Sequence, residues 1–500
     1  MKNYIYALGT AAMLTMTSCS DFLDKEPSAS VDAPITMASQ LQAMLDHTSF
    51  LNEGAYYHGF CNDDCGVTKQ MYDDDEPDYA EYDFGYGTPY FTFDHEVIAA
   101  DNYDYLVVGE YEKIYKCNLA INSIDEVEGT ESEKNLVLAN AYFDRAWSMF
   151  LMAQYYCRPY CEANKQELGL PIRLETDFTE NITRATLEDT YKQILSDLAN
   201  AEKYVQQDAV NPNQRWRVSK SAVNGLYARV SLVMGDYAAA EKYATAALTG
   251  APAFLDLNTV GTFKVSAYNE YDDLVKIEMS EMSDWGTSQI LKYDEFVYAR
   301  CAYFRGGWLI PSQSLIDSFA DGDLRGKLFI EEDFSYYNWL YFSVPRYNQF
   351  NDGYKIISGL TTAELTLIKA EAMVRQGKWQ EGLAALTPLR NARFEAGVAT
   401  ALSSSSQAEA LKLVLAERRC EMPYSSRLSD IKRYAVNETP DDDVTINHTF
   451  YAASTAGTNT SATVSISAGG DDPLLALPFS DYDVNATQGS VQQNPRPARK

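Results

Sequence analysis

MGDYAAAEKYATAALTGAP, residues 234–252, decides how this chain is read. Gly235 stands just ahead of an aromatic residue, Tyr237, and Ala240, Ala247 and Leu248 then recur at helical spacing until Pro252 stops the run. That is the spacing of the second helix of a tetratricopeptide repeat, where small residues let paired helices approach closely. The stretch therefore reads as the second helix of a hairpin.

A related opening returns in RQGKWQEGLAALTPLRNAR, residues 375–393, where Gly377 and Trp379 repeat the Gly-x-aromatic start but Gly382 stands where alanine is expected. Both stretches follow the spacing of a tetratricopeptide repeat, and much unlike sequence separates them. The pattern predicts a broken array with long insertions, not a solenoid. Two further amphipathic helices are legible. In residues 135–156, Ala139, Phe143, Ala146, Phe150 and Ala153 share a face, and in 186–205 so do Leu187, Tyr191, Ile194, Leu198, Ala201 and Val205. Thr186 with Asp189 resembles a capping box at the start of the second. The fold class that follows is mainly α: a broken tetratricopeptide-like helix-pair scaffold with long irregular, aromatic-rich insertions. No Pro/Gly/Ser-rich linker cuts the middle of the 500 residues, so one large unit is expected.

Lys2, an apolar run from Tyr4 to Met16, and the small residues Thr17 and Ser18 have the layout of a secretory signal peptide, too short to span a bilayer permanently. The run ends on Cys19 with no Ala-x-Ala site before it. That resembles the lipobox of bacterial lipoproteins, where a thioether-linked diacylglycerol and an N-acyl chain anchor the new N-terminus. Met16 stands where such boxes usually carry leucine, and a plain signal peptide with an incidental Cys19 is the alternative. Nothing downstream approaches about 18 consecutive apolar residues. With 71 acidic against 41 basic residues the formal charge is -30, which repels phosphate backbones, so no nucleic-acid partner is expected.

Eight cysteines less Cys19 leave an odd number, so at least one thiol stays free or pairs between chains. Cys61/Cys65 and Cys157/Cys161 share a CxxxC spacing, read as buried free thiols or one local disulfide. A zinc site needs more converging ligands than these and His47, His58, His95 and His448 supply. In DGDLRGKLFIEE, Asp321, Asp323, Gly326 and Glu332 match a calcium loop, but Arg325 puts a cation where a ligand oxygen belongs. The acidic run Asp73 to Glu76 is read as a solvated face. Neither metal nor cofactor is predicted. The GxSxG, HExxH and nucleotide-binding signatures are missing; a glycosidase using paired carboxylates stays open, because so many acidic residues conceal any pair.

Aromatic residues gather outside the clear helices: twelve between Phe50 and Phe93, seven between Trp285 and Trp308, nine between Phe334 and Tyr354. Flat rings stack on the apolar C–H faces of sugars, while core filling under long loops is the plainer role for any single ring. Trp285 in SDWGTSQ and Trp308 in FRGGWLIPS, flanked by glycine and polar residues, are the leading candidates for ligand binding, with Tyr79, Tyr82 and Tyr86 in PDYAEYDFGYG behind them.

Nearly end to end, the chain resembles the SusD/RagB family of outer-membrane nutrient-binding lipoproteins. CSDFLDKEPS (19–28) looks like the family's mature N-terminus. YEKIYKCNLAINSIDEV, AYFDRAWSMFLMAQYYCRPY, VSKSAVNGLYARVSLVMGDYAAAEKYA, TTAELTLIKAEAMVRQGKW and LAERRCEMPYSSRLSDIKRY follow its helices in order. The tail keeps Pro478, Asn485 and Gln493-Asn494-Pro495. Departures are Tyr424-Ser425-Ser426, where a glycine-containing turn is usual, and Cys157 and Cys161 around a loop that normally lacks cysteine. The resemblance implies a signal peptide at 1–18 and one SusD-like domain at 19–500. Within it, helix pairs fall in about 101–253 and 361–424, ligand-side segments in about 49–94 and 254–360, and a C-terminal segment in 425–500. It further implies a lipid on Cys19, a position on the outer face of the outer membrane, and a SusC-like TonB-dependent transporter that the chain covers as a hinged lid. Glycan is the implied ligand, with peptide the alternative within the family and a protein-binding helical scaffold the alternative outside it. Family members bind from the region of Trp285 and Trp308.

Replacing the lipidated residue tests the N-terminal reading. Cys19→Ala is expected to move the protein from the membrane to the soluble fraction of lysed cells; unchanged fractionation contradicts lipidation.

Overall fold

In the computed structural model, which describes residues 34–55, 57–66, 87–101, 103–177, 182–259, 263–267, 275–279, 293–304, 309–334, 344–349, 355–451 and 463–497, the periodic segments are helices. In chain order the main ones are α1 (Ala38–Leu45), α2 (Tyr105–Ser123), α3 (Glu131–Tyr156), α4 (Leu187–Tyr204), α5 (Lys220–Val233) and α6 (Tyr237–Thr249). They continue with α7 (Leu324–Phe329), α8 (Thr362–Arg375), α9 (Trp379–Ala385), α10 (Gln407–Glu421), α11 (Arg427–Tyr434) and α12 (Asp481–Ala486). The chain is mainly helical, and its strands are short.

Each predicted apolar face is the buried one. Ala139, Phe143, Ala146, Phe150 and Ala153 line α3, which packs between α2 and α4; the matching row on α4, from Leu187 to Ala201, is buried against it. Thr186 caps α4 by accepting the Asp189 N–H at 3.0 Å. Helices α5 and α6 form the hairpin read from residues 234–252, and α8 and α9 form its second copy. Gly235 (φ +76°) and Gly377 (φ +85°) make the two turns in the left-handed region that glycine enters without steric cost. On α6, Ala240, Ala244 and Ala247 are fully buried, and α6 also lies on α8, which in turn packs on α10. Gly382, the departure from the repeat pattern, has a local cause: a Cβ there would lie 2.7 Å from the Val374 side chain and 2.8 Å from the Ala370 carbonyl. Helices α8 and α9 cross too closely for even a methyl group.

The insertions are not uniformly irregular. Among the described residues they contain strand pairs: β4 (Phe263–Ala267) with β5 (Val275–Met279), β6 (Phe296–Tyr298) with β11 (Leu360–Thr361), and β8 (Ile330–Phe334) with β9 (Val344–Tyr347). A small sheet sets β7 (Cys301–Tyr303) between β1 (Asn52–Glu53) and β10 (Lys355–Ile357). Between α3 and α4, β2 (Leu168–Pro171) pairs with β3 (Arg184–Thr186). The C-terminal segment adds the hairpin β12 (Thr445–Tyr451) and β13 (Thr463–Gly469). Beyond it, Gln493 exchanges hydrogen bonds with both backbone groups of Phe479 (3.0 and 2.8 Å). Asn494 donates to the carbonyls of Tyr156 (2.8 Å) and Leu477 (2.6 Å) and accepts from Arg184 (2.6 Å). The Gln-Asn-Pro signature is thus the side-chain latch that holds the tail on the end of α3.

Charges, not only apolar faces, join the scaffold to α11. Glu371 of α8 receives Arg433 through two bonds (2.5 and 2.8 Å) and Arg375 at 2.8 Å; Arg375 reaches Asp442 at 2.6 Å, and Asp430 receives Arg418 and Arg433 at 2.8 Å each. All six side chains are 0–5 % exposed. Burial alone would push the Glu371 carboxyl up, but the guanidinia of Arg433 and Arg375 outweigh it and hold the group well below the usual carboxylate range.

Removing one member of such a set leaves buried charge uncompensated. Glu371→Gln is expected to cost about 3–5 kcal/mol in urea unfolding at neutral pH. Because the folded-state pKa is depressed, the stabilisation is full above the unfolded carboxylate value of about 4.3 and is lost as pH falls below it. The variant should therefore lose less stability than the parent on acidification; equal acid sensitivity contradicts the assignment.

Candidate ligand-binding face

The loop after β1 carries three consecutive polar residues, Asn62, Asp63 and Asp64, inside the Cys61–Cys65 spacing. Asp63 receives Arg427 through two bonds (2.6 and 2.8 Å), and Asp64, fully buried, receives Arg419 at 2.7 Å. Burial would raise the Asp63 carboxyl, but Arg427 overcomes this and holds it below the usual range. The second oxygen of Asp64 accepts the backbone N–H of Tyr424 at 3.0 Å. Tyr424 sits at φ +62°, a conformation that costs a residue with a Cβ about 1–2 kcal/mol, and Asp64 is what holds it. Asn62 adds a third tie, its carbonyl meeting His448 of β12 at 2.9 Å.

From this clamp the backbone is stitched to the other insertions. Asp64 accepts the Ser312 N–H (2.7 Å), Gly66 donates to Ile310 (2.8 Å), Tyr347 donates to Leu309 (2.7 Å), and Asn348 donates to Phe329 (2.7 Å). The Gln349 side chain accepts from Ile357 of β10 at 2.9 Å. Tyr347 lies against Tyr424, ring centres 5.5 Å apart, and together with Tyr293 and Gln349 it lines a cavity of about 20 Å³, room for one water molecule and not for a sugar.

All five predicted ligand residues lie outside the described residues: Tyr79, Tyr82 and Tyr86 in 67–86, Trp285 in 280–292, and Trp308 in 305–308. So does Cys19, in 1–33. One described flank of each of these segments lies near the clamp. Gly66 and Leu309 belong to the stitched backbone around the Asp63–Asp64 clamp, and Tyr293 shares the small cavity with Tyr347 and Gln349.

Other candidates resolve into structural roles. The seven downstream cysteines, Cys61, Cys65, Cys117, Cys157, Cys161, Cys301 and Cys420, form no disulfide, and all except Cys161 are buried. In the calcium-loop look-alike, Asp323 caps α7 and binds Arg325, which also meets Glu417 (2.7 Å) and Glu421 (2.9 Å). The Asp63–Asp64 clamp was not anticipated; the adjacent acidic pair between the two cysteines was its signal.

Comparison with known proteins matches two regions of the chain. Residues 21–232 match a family model described as starch-binding associating with outer membrane, and residues 360–496 match the model of the SusD family. No curated protein matches the chain. A SusD superfamily protein of Bacteroides thetaiotaomicron, 19% identical, shares the fold over 92% of this chain and 100% of its own, with a TM-score of 0.63. Two Bacteroides vulgatus proteins, both 17% identical, do likewise. A SusD superfamily protein covers 92% of this chain and 99% of its own (TM-score 0.64), and a SusD-like carbohydrate binding protein covers 91% and 97% (TM-score 0.60). With the two matched regions together spanning well over half of the sequence, the chain belongs to the SusD/RagB family.

Proposed function

We propose that this protein captures oligosaccharides at the cell surface, held there by a lipid on Cys19, and delivers them to a TonB-dependent transporter that it covers as a lid. Family membership supports carbohydrate binding and outer-membrane association. No helix among the described residues is long and apolar enough to cross a membrane, which fits attachment through a lipid. The observation that carries the reading is the nearness of one flank of each aromatic segment to the Asp63–Asp64 clamp. Segments anchored side by side can offer several rings to one glycan, whereas rings scattered over the surface could not. Trp285 and Trp308 are the proposed stacking residues, with Tyr79, Tyr82 and Tyr86 behind them. The helix pairs serve as support and as the transporter-facing side.

A glycan array that includes peptide controls identifies the ligand, and calorimetry with Trp285→Ala and Trp308→Ala tests the platform. By analogy with base stacking on aromatic side chains, each ring is worth about 1–3 kcal/mol, so each variant should bind roughly five- to a hundred-fold more weakly with an unchanged melting temperature. A lowered melting temperature with intact affinity in both variants makes the indoles core filler, and binding confined to peptides rejects the glycan reading.

The transporter partnership has its own test. Mild-detergent purification of the tagged protein should recover a large barrel protein through an interface of roughly 1,000 Å² or more; its repeated absence contradicts the lid role.

A further inference from the structure

A cleft of about 490 Å³ opens between α2, the end of β2 and α12, and none of the residues bounding the aromatic segments lines it. Its volume falls within the range of small-molecule sites, about 300–1,000 Å³. Val107, Val108 and Ile114 of α2, Pro171 of β2, and Phe479 and Val484 at α12 make its walls apolar. The Tyr111 hydroxyl at the edge already donates to the Pro171 carbonyl at 2.7 Å. Walls this apolar suit a hydrocarbon better than a sugar ring edged with hydroxyls.

The charges around it are mostly negative. Asp483 of α12 lines the cleft, and its Oδ2 is buried with no hydrogen-bond partner. Burial, with the nearby Asp104 charge, pushes the Asp483 carboxyl up to about 6. Asp104 itself is committed to the N–H groups of Leu106 and Val107 and to the Tyr156 hydroxyl. Glu112, Glu175 and Asp177 complete the acidic side. The cation among the lining residues is Arg173, which donates to the Asp177 carbonyl at 3.2 Å. Lys116 pairs with Glu112 at 2.6 Å, and Asn122 donates to Glu175 at 3.1 Å. An anion would meet four carboxylates against the one guanidinium of Arg173, and a neutral ligand would leave the buried Oδ2 of Asp483 without a partner.

We propose that this cleft is a second ligand site and that it takes a small apolar molecule carrying one positive charge, an alkyl or aryl amine. The ammonium sits on the Asp483 carboxylate, and the hydrocarbon lies along Val107, Ile114 and Phe479. This site stands whether or not the glycan reading does, because the two share no residue.

Calorimetric titration of the mature chain with n-octylammonium, n-octanol and n-octanoate, at fixed ionic strength and about pH 7.5, tests it. Octylammonium is expected to bind about ten-fold or more tightly than octanol, and octanoate not at all. Asp483→Asn, which keeps the side chain's shape, should reduce octylammonium to the octanol level. Val484→Trp, which fills the cleft from its rim, should weaken both ligands. Melting temperatures equal to the parent's show that both variants fold. Taking the parent from about pH 7.5 to about pH 5 should weaken octylammonium alone, as Asp483 gains a proton, while Asp483→Asn shows no such change. Equal affinity for amine and alcohol, an unaffected Asp483→Asn, or amine binding that survives Val484→Trp each overturns the proposal.

Discussion

Buried guanidinium–carboxylate pairs hold the insertions on the helices. Several of the described insertions have such a tie. Asp63 and Asp64 bind Arg427 and Arg419, Glu295 binds Arg393 at 2.7 Å, and Arg300 binds Asp144 at 2.7 Å while also donating to the Phe50 carbonyl. Arg229 of α5 binds Glu364 at the start of α8 and the carbonyls of Ser358 and Gly359. Apolar burial supplies most of the driving force but has no direction. In a broken array, stacking of like repeats does not dictate where an insertion sits. Two-pronged charged hydrogen bonds do, because both distance and angle must be right and a misplaced partner is left charged and dry.

That logic explains what was legible in the sequence. The helical faces were, because a 3.6-residue period is a local property; so were the turns at Gly235 and Gly377 and the cap at Thr186. The tail signature at Gln493-Asn494-Pro495 was visible as a pattern, but its work as a latch on Tyr156 and Phe479 needed coordinates. Glu371 with Arg433, or Asp64 with Arg419, are pairs between distant parts of the chain; the acidic pair between Cys61 and Cys65 marks its loop, but nothing local says which arginine a carboxylate meets. The β12 strand carries a period-two pattern, with Ile446 and His448 buried and Thr445, Asn447 and Thr449 exposed, but so short an alternation stands out weakly in sequence, and 425–500 reads only as a C-terminal segment. The proposed sugar-stacking residues remain a reading of composition and of resemblance, supported by where their segments are rooted.

The division of labour is physical. Helices α2–α6 and α8–α10 bury continuous faces and give a rigid frame, whereas the aromatic segments leave it from a hydrogen-bonded root. Sequence can then vary in those segments without disturbing the core. The strained Tyr424 belongs to this root: its left-handed backbone is affordable only because Asp64 holds its N–H while Arg419 and Arg427 neutralise the acidic pair beneath it.

Amide hydrogen exchange in Asp64→Asn compared with the parent tests most directly whether that clamp joins the loop face to the scaffold. The account predicts faster exchange in residues 57–66, 309–312 and 419–427, with α2 to α6 as protected as before. Unchanged protection at 57–66, or uniform acceleration through every helix, would contradict it.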